Sequence, residues 1–249
     1  MARSARKRQE ILLREEELLG IARKILLERG VSGLTMERVA EATPYSKGTI
    51  YQHFGSKDDI LAALVRQSIL RRISLFERAA LFRGTSRERM IAIGKANELL
   101  YRLHPDYFIS ENVICGYHVR KRLSTIRQAE LHALEQKAFA VILGVIRDGF
   151  ASGDIRGVPG WLTPEKILFG LWGLSHGLYN LWQTDLPIHA WADDVFLTHH
   201  RLTSFLCDGY GWHPLSNELD YDACVQRIWT EVFPQEHEEL KKLSLGAGS

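Results

Sequence analysis

The sequence predicts an all-α protein. Apolar residues recur at the helical period along most of the chain, and nothing alternates with period two over any length. Prolines and glycines fall between these periodic segments or at their ends, where helices begin and stop. At 249 residues the chain is long enough for one or two domains and a sizeable core. Its 45% hydrophobic and 25% charged residues are those of an ordinary globular protein. A formal net charge of +2 does not announce a nucleic-acid binder, so any such reading must rest on local charge.

The elements follow in order. The first 14 residues hold Arg3, Arg6, Lys7, Arg8 and Arg14 against Glu10. Such an arm suits either a phosphate backbone or a disordered terminus, and both readings stay open. The apolar run Ile11–Leu13 ends at Arg14-Glu15-Glu16-Glu17, unlike a signal peptide. Leu18, Ala22 and Ile25 form the stripe of a first helix, which Gly30 caps in a left-handed conformation. Thr35 caps a second helix with Met36, Val39 and Ala40 inward. Ser46 caps a third, anchored by Ile50 and Phe54. Ser56 with Asp59 makes a near capping box for a fourth helix, 56–82, with Ile60, Leu64, Ile69, Ile73 and Phe76 on its buried side. Further helices are expected near 86–103, 105–118, 122–152, 163–184, 191–210 and 219–233, followed by a mobile tail over 235–249. The expected organisation is a basic arm and DNA-binding domain over 1–57, helix 56–82 leading onward, and a second helical domain over 83–234.

The most informative stretch is 35–57, two short helices joined by a tight turn and running into a third. Two helices crossing steeply through a turn of three or four residues is a DNA-reading geometry. On the middle helix Lys47 brings charge, as does Lys57 just beyond it, and Tyr51 and His53 bring phosphate hydrogen bonds. Thr49 and Gln52 are short enough to reach base edges. The expected DNA-binding set is Thr35, Tyr45, Ser46, Lys47, Gly48, Thr49, Tyr51, Gln52, His53 and Lys57.

The string Ser46-Lys47-Gly48-Thr49-Ile50-Tyr51, then His53-Phe54 and Ser56-Lys57, with Val39-Ala40-Glu41-Ala42 upstream, resembles the tetracycline-repressor (TetR) family of bacterial transcription regulators. The resemblance covers roughly residues 14–65. It departs from the family at Thr43-Pro44-Tyr45, where a glycine is usual; proline fixes φ and removes an amide, so the turn must differ locally. The resemblance implies an all-helical homodimer with an N-terminal three-helix head on double-stranded DNA at a palindromic operator. It also implies a C-terminal helical ligand-binding and dimerisation domain, and a cytoplasmic repressor released by a small organic effector. Its interface would lie on the last two major helices, here with Gly170, Gly173 and Gly177 on one and Val195, Leu202, Phe205 and Leu206 on the other. The expected coupling is a shift of helix 105–118 that pivots helix 56–82.

For the effector, aromatic and polar groups at helical spacing give the candidates Asn97, Tyr107, Phe108, Asn112, Cys115, Phe139, Trp172, His176 and Tyr179. Two rivals are kept. One has the same head with a C-terminal domain that answers a protein partner. The other is a serine hydrolase, because Gly173-Leu174-Ser175-His176-Gly177 matches G-x-S-x-G; that motif needs a strand before it, and the flanking segments read as helix. No cofactor or metal is expected. Cys115, Cys207 and Cys224 form no C-x-x-C pair, and of His189, His199, His200 and His213 the adjacent two point about 100° apart on a helix. The most apolar stretch, Ile167–Trp182, is short for a membrane span and contains His176 and Asn180.

Overall fold

The structure, a computed structural model, describes residues 2–115, 120–183, 186, 187, 191, 192 and 194–246, without the side chains of 2–5, 8, 115, 245 and 246. Its helices are α1 (Ala2–Gly33), α2 (Met36–Glu41), α3 (Lys47–His53), α4 (Lys57–Ala80), α5 (Ser86–Leu103), α6 (Pro105–Cys115), α7 (Thr125–Ser152), α8 (Pro164–Trp182), α9 (Val195–Gly209), α10 (Tyr221–Arg227) and α11 (Pro234–Gly246). A π-turn, Ile228–Val232, joins the last two. Among the described residues the fold is all-α; one isolated bridge pairs Ile155 with Trp212.

Two expectations at the chain ends are corrected. The basic N-terminus is neither a separate arm nor coil: it continues α1 back to Ala2. The tail after residue 234 is helical as far as Gly246, because Arg78 holds Glu236 at its first turn and Trp229 stacks on His237 with ring centroids 4.9 Å apart. Gly30 leaves the helical region with φ 64°, a backbone state that favours glycine, so α1 breaks there before its last turn.

The chain forms two compact units, Met1–Leu70 with His104–Leu134, and Arg71–Leu103 with Glu135–Ser249. The segment expected as one domain, 83–234, is therefore divided. In the first unit, Leu18, Leu19, Ala22, Leu26, Val39, Ile50, Phe54, Ile60 and Leu64 make the core. What brings α6 into this unit is Arg23 of α1. It pairs with the buried Asp106 at 2.7 Å, donates to Gln67 Oε1 at 2.8 Å and lies over the Tyr107 ring. Burial pushes the Asp106 carboxyl up from its ordinary range, and the Arg23 charge opposes it. Further pairs, Arg122 with Asp58 at 2.7 Å and Arg127 with Asp59 at 3.0 Å, fasten the start of α4 to the segment around α7.

The second unit is built around two buried charged hubs. Arg87 is 1% exposed and spends its guanidinium on the Trp212 carbonyl at 2.7 Å, the Ser204 carbonyl at 3.0 Å and Asp208 at 2.9 Å. Glu98 accepts from Lys95 and His200 on one oxygen, at 2.9 and 2.8 Å, and pairs through the other with Arg102 at 2.9 Å. Burial pushes the Glu98 carboxyl up, but the His200 hydrogen bond and the Lys95 charge outweigh it and bring it down to about 2.

Candidate nucleic-acid interface and ligand cavity

The reading helix is set by local chemistry. Thr35 accepts from the Arg38 amide at 3.2 Å and so starts α2, as its sequence position predicts. Ser46 accepts from the Thr49 amide at 3.2 Å and starts α3; Ser56 accepts from the Asp59 amide at 3.2 Å and starts α4. A seven-residue helix is unstable alone, so α3 depends on burying Ile50 and Phe54, 1% and 0% exposed. That anchoring leaves Lys47, Gly48, Tyr51, Gln52 and Lys57 exposed, with His53 half-buried against Phe54. Lys47, Tyr51, Gln52 and Lys57 make no hydrogen bond or ion pair among the described residues, and Tyr51 is 49% exposed.

Four residues of the expected set are otherwise engaged. Thr35 and Ser46 spend their side chains as caps, and the Thr49 hydroxyl lies 3.0 Å from that of Ser46. Tyr45 donates its hydroxyl to Glu17 at 2.5 Å, and its ring carries the Arg14 guanidinium at 5.1 Å. The hydrogen bond to Glu17 raises the phenol above its ordinary range. Tyr45 therefore braces the turn against α1. The Pro44 turn needs no glycine because no described non-glycine residue takes positive φ; the Thr43 hydroxyl binds the Ala40 carbonyl at 3.3 Å and receives the Tyr45 amide at 3.3 Å.

In the second unit, α4, α5, α7, α8 and α9 line a cavity of about 50 Å³. Its wall is Phe76, Met90, Ile93, Gly94, Asn97, Ile142, Leu168, Leu171, Trp172, Ser175, His199 and Thr203. Of the expected effector residues, Asn97 and Trp172 stand on this wall. Phe139 backs Trp172 edge-on at 4.8 Å, and Tyr179, 1% exposed, packs beside the wall against Tyr101 and His199. The other expected residues do not stand on this wall. Tyr107, Phe108 and Asn112 belong to the first unit, held there by the Arg23 contacts of α6, and His176 is exposed. The Cys115 side chain lies outside the described residues. Phe76 was legible as a buried stripe residue of α4, whereas His199 drew notice only as a metal candidate. Its cavity role depends on where α9 packs, which the local sequence does not carry. His189, another metal candidate, lies outside the described residues.

Ser175 and His199 do meet, at 2.7 Å, but not as nucleophile and base. The Ser175 hydroxyl donates to the Leu171 carbonyl at 2.8 Å within α8, so it receives the hydrogen bond from His199 Nε2. Burial and the neighbouring His200 charge lower His199 to about 3, which keeps the ring neutral. His199 Nδ1 has no acidic partner to orient it, and no strand precedes Ser175 among the described residues.

The expected interface residues divide. Gly173, Gly177, Leu202 and Phe205 are exposed, Phe205 to 67%. They share their helices with Phe169, 82% exposed, and Leu197, 43% exposed, neither of which was singled out in the sequence. Val195 is only 4% exposed and belongs to the core at the start of α9, so it is withdrawn from this face. Gly170 serves its own chain: a Cβ there would lie 2.2 Å from the Tyr210 hydroxyl. Leu206 is half-buried beside it.

Residues 18–64 match the family model for bacterial regulatory proteins of the tetR family. The transcriptional repressor AcnR of Corynebacterium glutamicum is 41% identical over 56 residues, which is 22% of this chain and 30% of that protein. The chain thus matches under a third of the length of that relative. The fatty acid metabolism regulator protein of Bacillus subtilis is 22% identical over 157 residues, covering 62% of this chain and 77% of its own. In fold, the chain is similar to the crystal structure of the transcriptional regulator FadR from Bacillus subtilis in complex with stearoyl-CoA. The TM-score is 0.61 at 16% identity, over 78% of this chain and 98% of that one.

Proposed function

We propose that this chain, a member of the tetR family of bacterial regulatory proteins, is a homodimeric transcriptional repressor of the cytoplasm, released from a palindromic operator when a small organic molecule enters the cavity of its second unit. One observation carries the DNA-binding part: Lys47, Tyr51 and Gln52 stand exposed and uncommitted around a helix whose other face is anchored by Ile50 and Phe54, with Lys57 exposed at the start of the next. Lys47 and Lys57 meet phosphates, Tyr51 donates to one, and Gln52 reads a base edge. The exposed apolar residues of α8 and α9, Phe169, Leu197, Leu202 and Phe205, meet a second copy, which spaces two α3 helices for half-sites about 34–36 Å apart. AcnR is a repressor by name and FadR holds stearoyl-CoA, which supports the repressor logic and the liganded C-terminal unit.

Helix α4 bears Lys57 at its first turn and the cavity residue Phe76 near its end. Effector binding acts through it, and through Arg23, which holds α6 to α1 within the first unit. The effector favours release only by binding the released state more tightly. Binding rather than catalysis is the reading the Ser175 geometry supports, and among the described residues no helix is long and apolar enough to cross a membrane. The test is selection of operator fragments by the purified protein, followed by fluorescence anisotropy in increasing salt. A single preferred palindrome bound by a dimer is expected; binding without sequence preference would remove the repressor reading.

A further inference from the structure

The cavity wall is apolar except at Asn97, Ser175, His199 and Thr203. Ser175 and His199 spend their donors internally, the hydroxyl on the Leu171 carbonyl and Nε2–H on Ser175. Two acceptors are left over: Asn97 Oδ1 and His199 Nδ1 are buried without a hydrogen-bond partner, on residues 8% and 3% exposed. Buried acceptors left unpaired cost free energy that a bound donor recovers. No lysine or arginine stands on the wall: Lys95 and Arg102 pair with Glu98, and the buried Arg72, over the Trp172 ring at 5.8 Å, donates to the Tyr101 hydroxyl at 3.1 Å. An anion would enter with no cation on the wall itself to meet it.

We infer that the cavity takes a small neutral molecule, apolar over most of its surface, that brings a hydroxyl or similar neutral donor to Asn97 and His199. This rests on the effector-released reading and narrows it to a ligand class unlike the polyanionic acyl-CoA that FadR holds. At about 50 Å³ the cavity is smaller than the roughly 150 Å³ that holds benzene, so a one-ring ligand needs the wall to give. The cavity adjoins a second void of about 20 Å³, and Met90, Gly94 and Thr203 wall both. Met90 is the adaptable partition, an unbranched side chain able to move and join them.

Four probes test this on the full-length protein: phenol, toluene, benzoate and stearoyl-CoA. Calorimetry reads binding, and anisotropy of a bound operator reads release. Phenol is expected to bind at least about tenfold more tightly than toluene or benzoate, the value of one good hydrogen bond. Asn97→Leu and His199→Phe should each remove most of that preference and leave toluene unchanged, with thermal melts confirming folding. The wild-type ranking decides the matter by itself if a variant does not fold. Equal binding of phenol and toluene, or preference for benzoate, overturns the inference. If stearoyl-CoA releases the operator and phenol does not bind, the effector-released reading stands and this ligand class is wrong. If none of the four binds or alters operator affinity, both fall.

Discussion

The face of α3 and the interior of the second unit use polar side chains in opposite ways. On α3, Lys47, Tyr51 and Gln52 are exposed and uncommitted, and the helix is held by its other side. Inside the second unit, Arg87, Lys95, Glu98 and His200 are buried and bound to one another or to backbone carbonyls. The first arrangement keeps groups ready for a partner outside the chain. The second ties the unit's charges together, and leaves the acceptors of Asn97 and His199 unanswered on the cavity wall. Substitutions in the two regions should therefore fail differently: interior ones through stability, interface ones through DNA binding with stability intact.

The largest effect is expected at Glu98. Glu98→Gln removes the charge that Lys95 and Arg102 share and leaves two cations close together in a buried site. The cost should be about 3–5 kcal/mol by denaturant titration. A loss under ~1 kcal/mol would mean the hub is solvated and would erase the contrast.

Acid should act on the same interior. His199 is lowered from 6.5 to about 3, so the unfolded chain takes up its proton first and stability falls as pH drops from about 6.5. Glu98, lowered from 4.5 to about 2, adds a second loss as pH falls from about 4.5. Both work in one direction. Melting temperature followed from pH 7 to 4 should fall, and His199→Phe should flatten the part between 6.5 and 4.5. A variant with the wild-type slope would assign that loss elsewhere.

A smaller effect is expected at the cap of the reading helix. Ser46→Ala removes the acceptor for the Thr49 amide and should cost about 1 kcal/mol. Operator affinity should fall by more than melting alone accounts for, because α3 frays where it meets DNA. Equal affinity at temperatures well below melting would show that DNA restores the helix unaided.

The same contrast explains what the sequence discloses. The head is short-range chemistry: Thr35, Ser46 and Ser56 each cap a helix through an amide three residues on, and Ile50 and Phe54 anchor at one helical turn. Such signals lie within a few residues and can be read locally, as can Pro164 at the start of α8 and Gly30 at the break in α1. The cavity is long-range. It joins Phe76, Asn97, Ile142, Trp172 and His199 from five helices, and aromatic composition alone equally suggested Tyr107 and Phe108. Those two went to the first unit because Arg23, more than 80 residues away, reaches Asp106 and Tyr107. The helical tail was missed for the same reason: Arg78 secures Glu236 across 158 positions.

The central claim is that uncommitted groups on α3 contact DNA phosphates, and Lys47→Ala tests it most directly. Stability should stay within about 0.5 kcal/mol of wild type, since Lys47 is exposed and makes no described contact. Operator affinity should fall, and the slope of log affinity against log salt should become shallower by about one unit per subunit, roughly two for the dimer. An unchanged slope with unchanged affinity would place Lys47 in solvent and contradict the account of the interface.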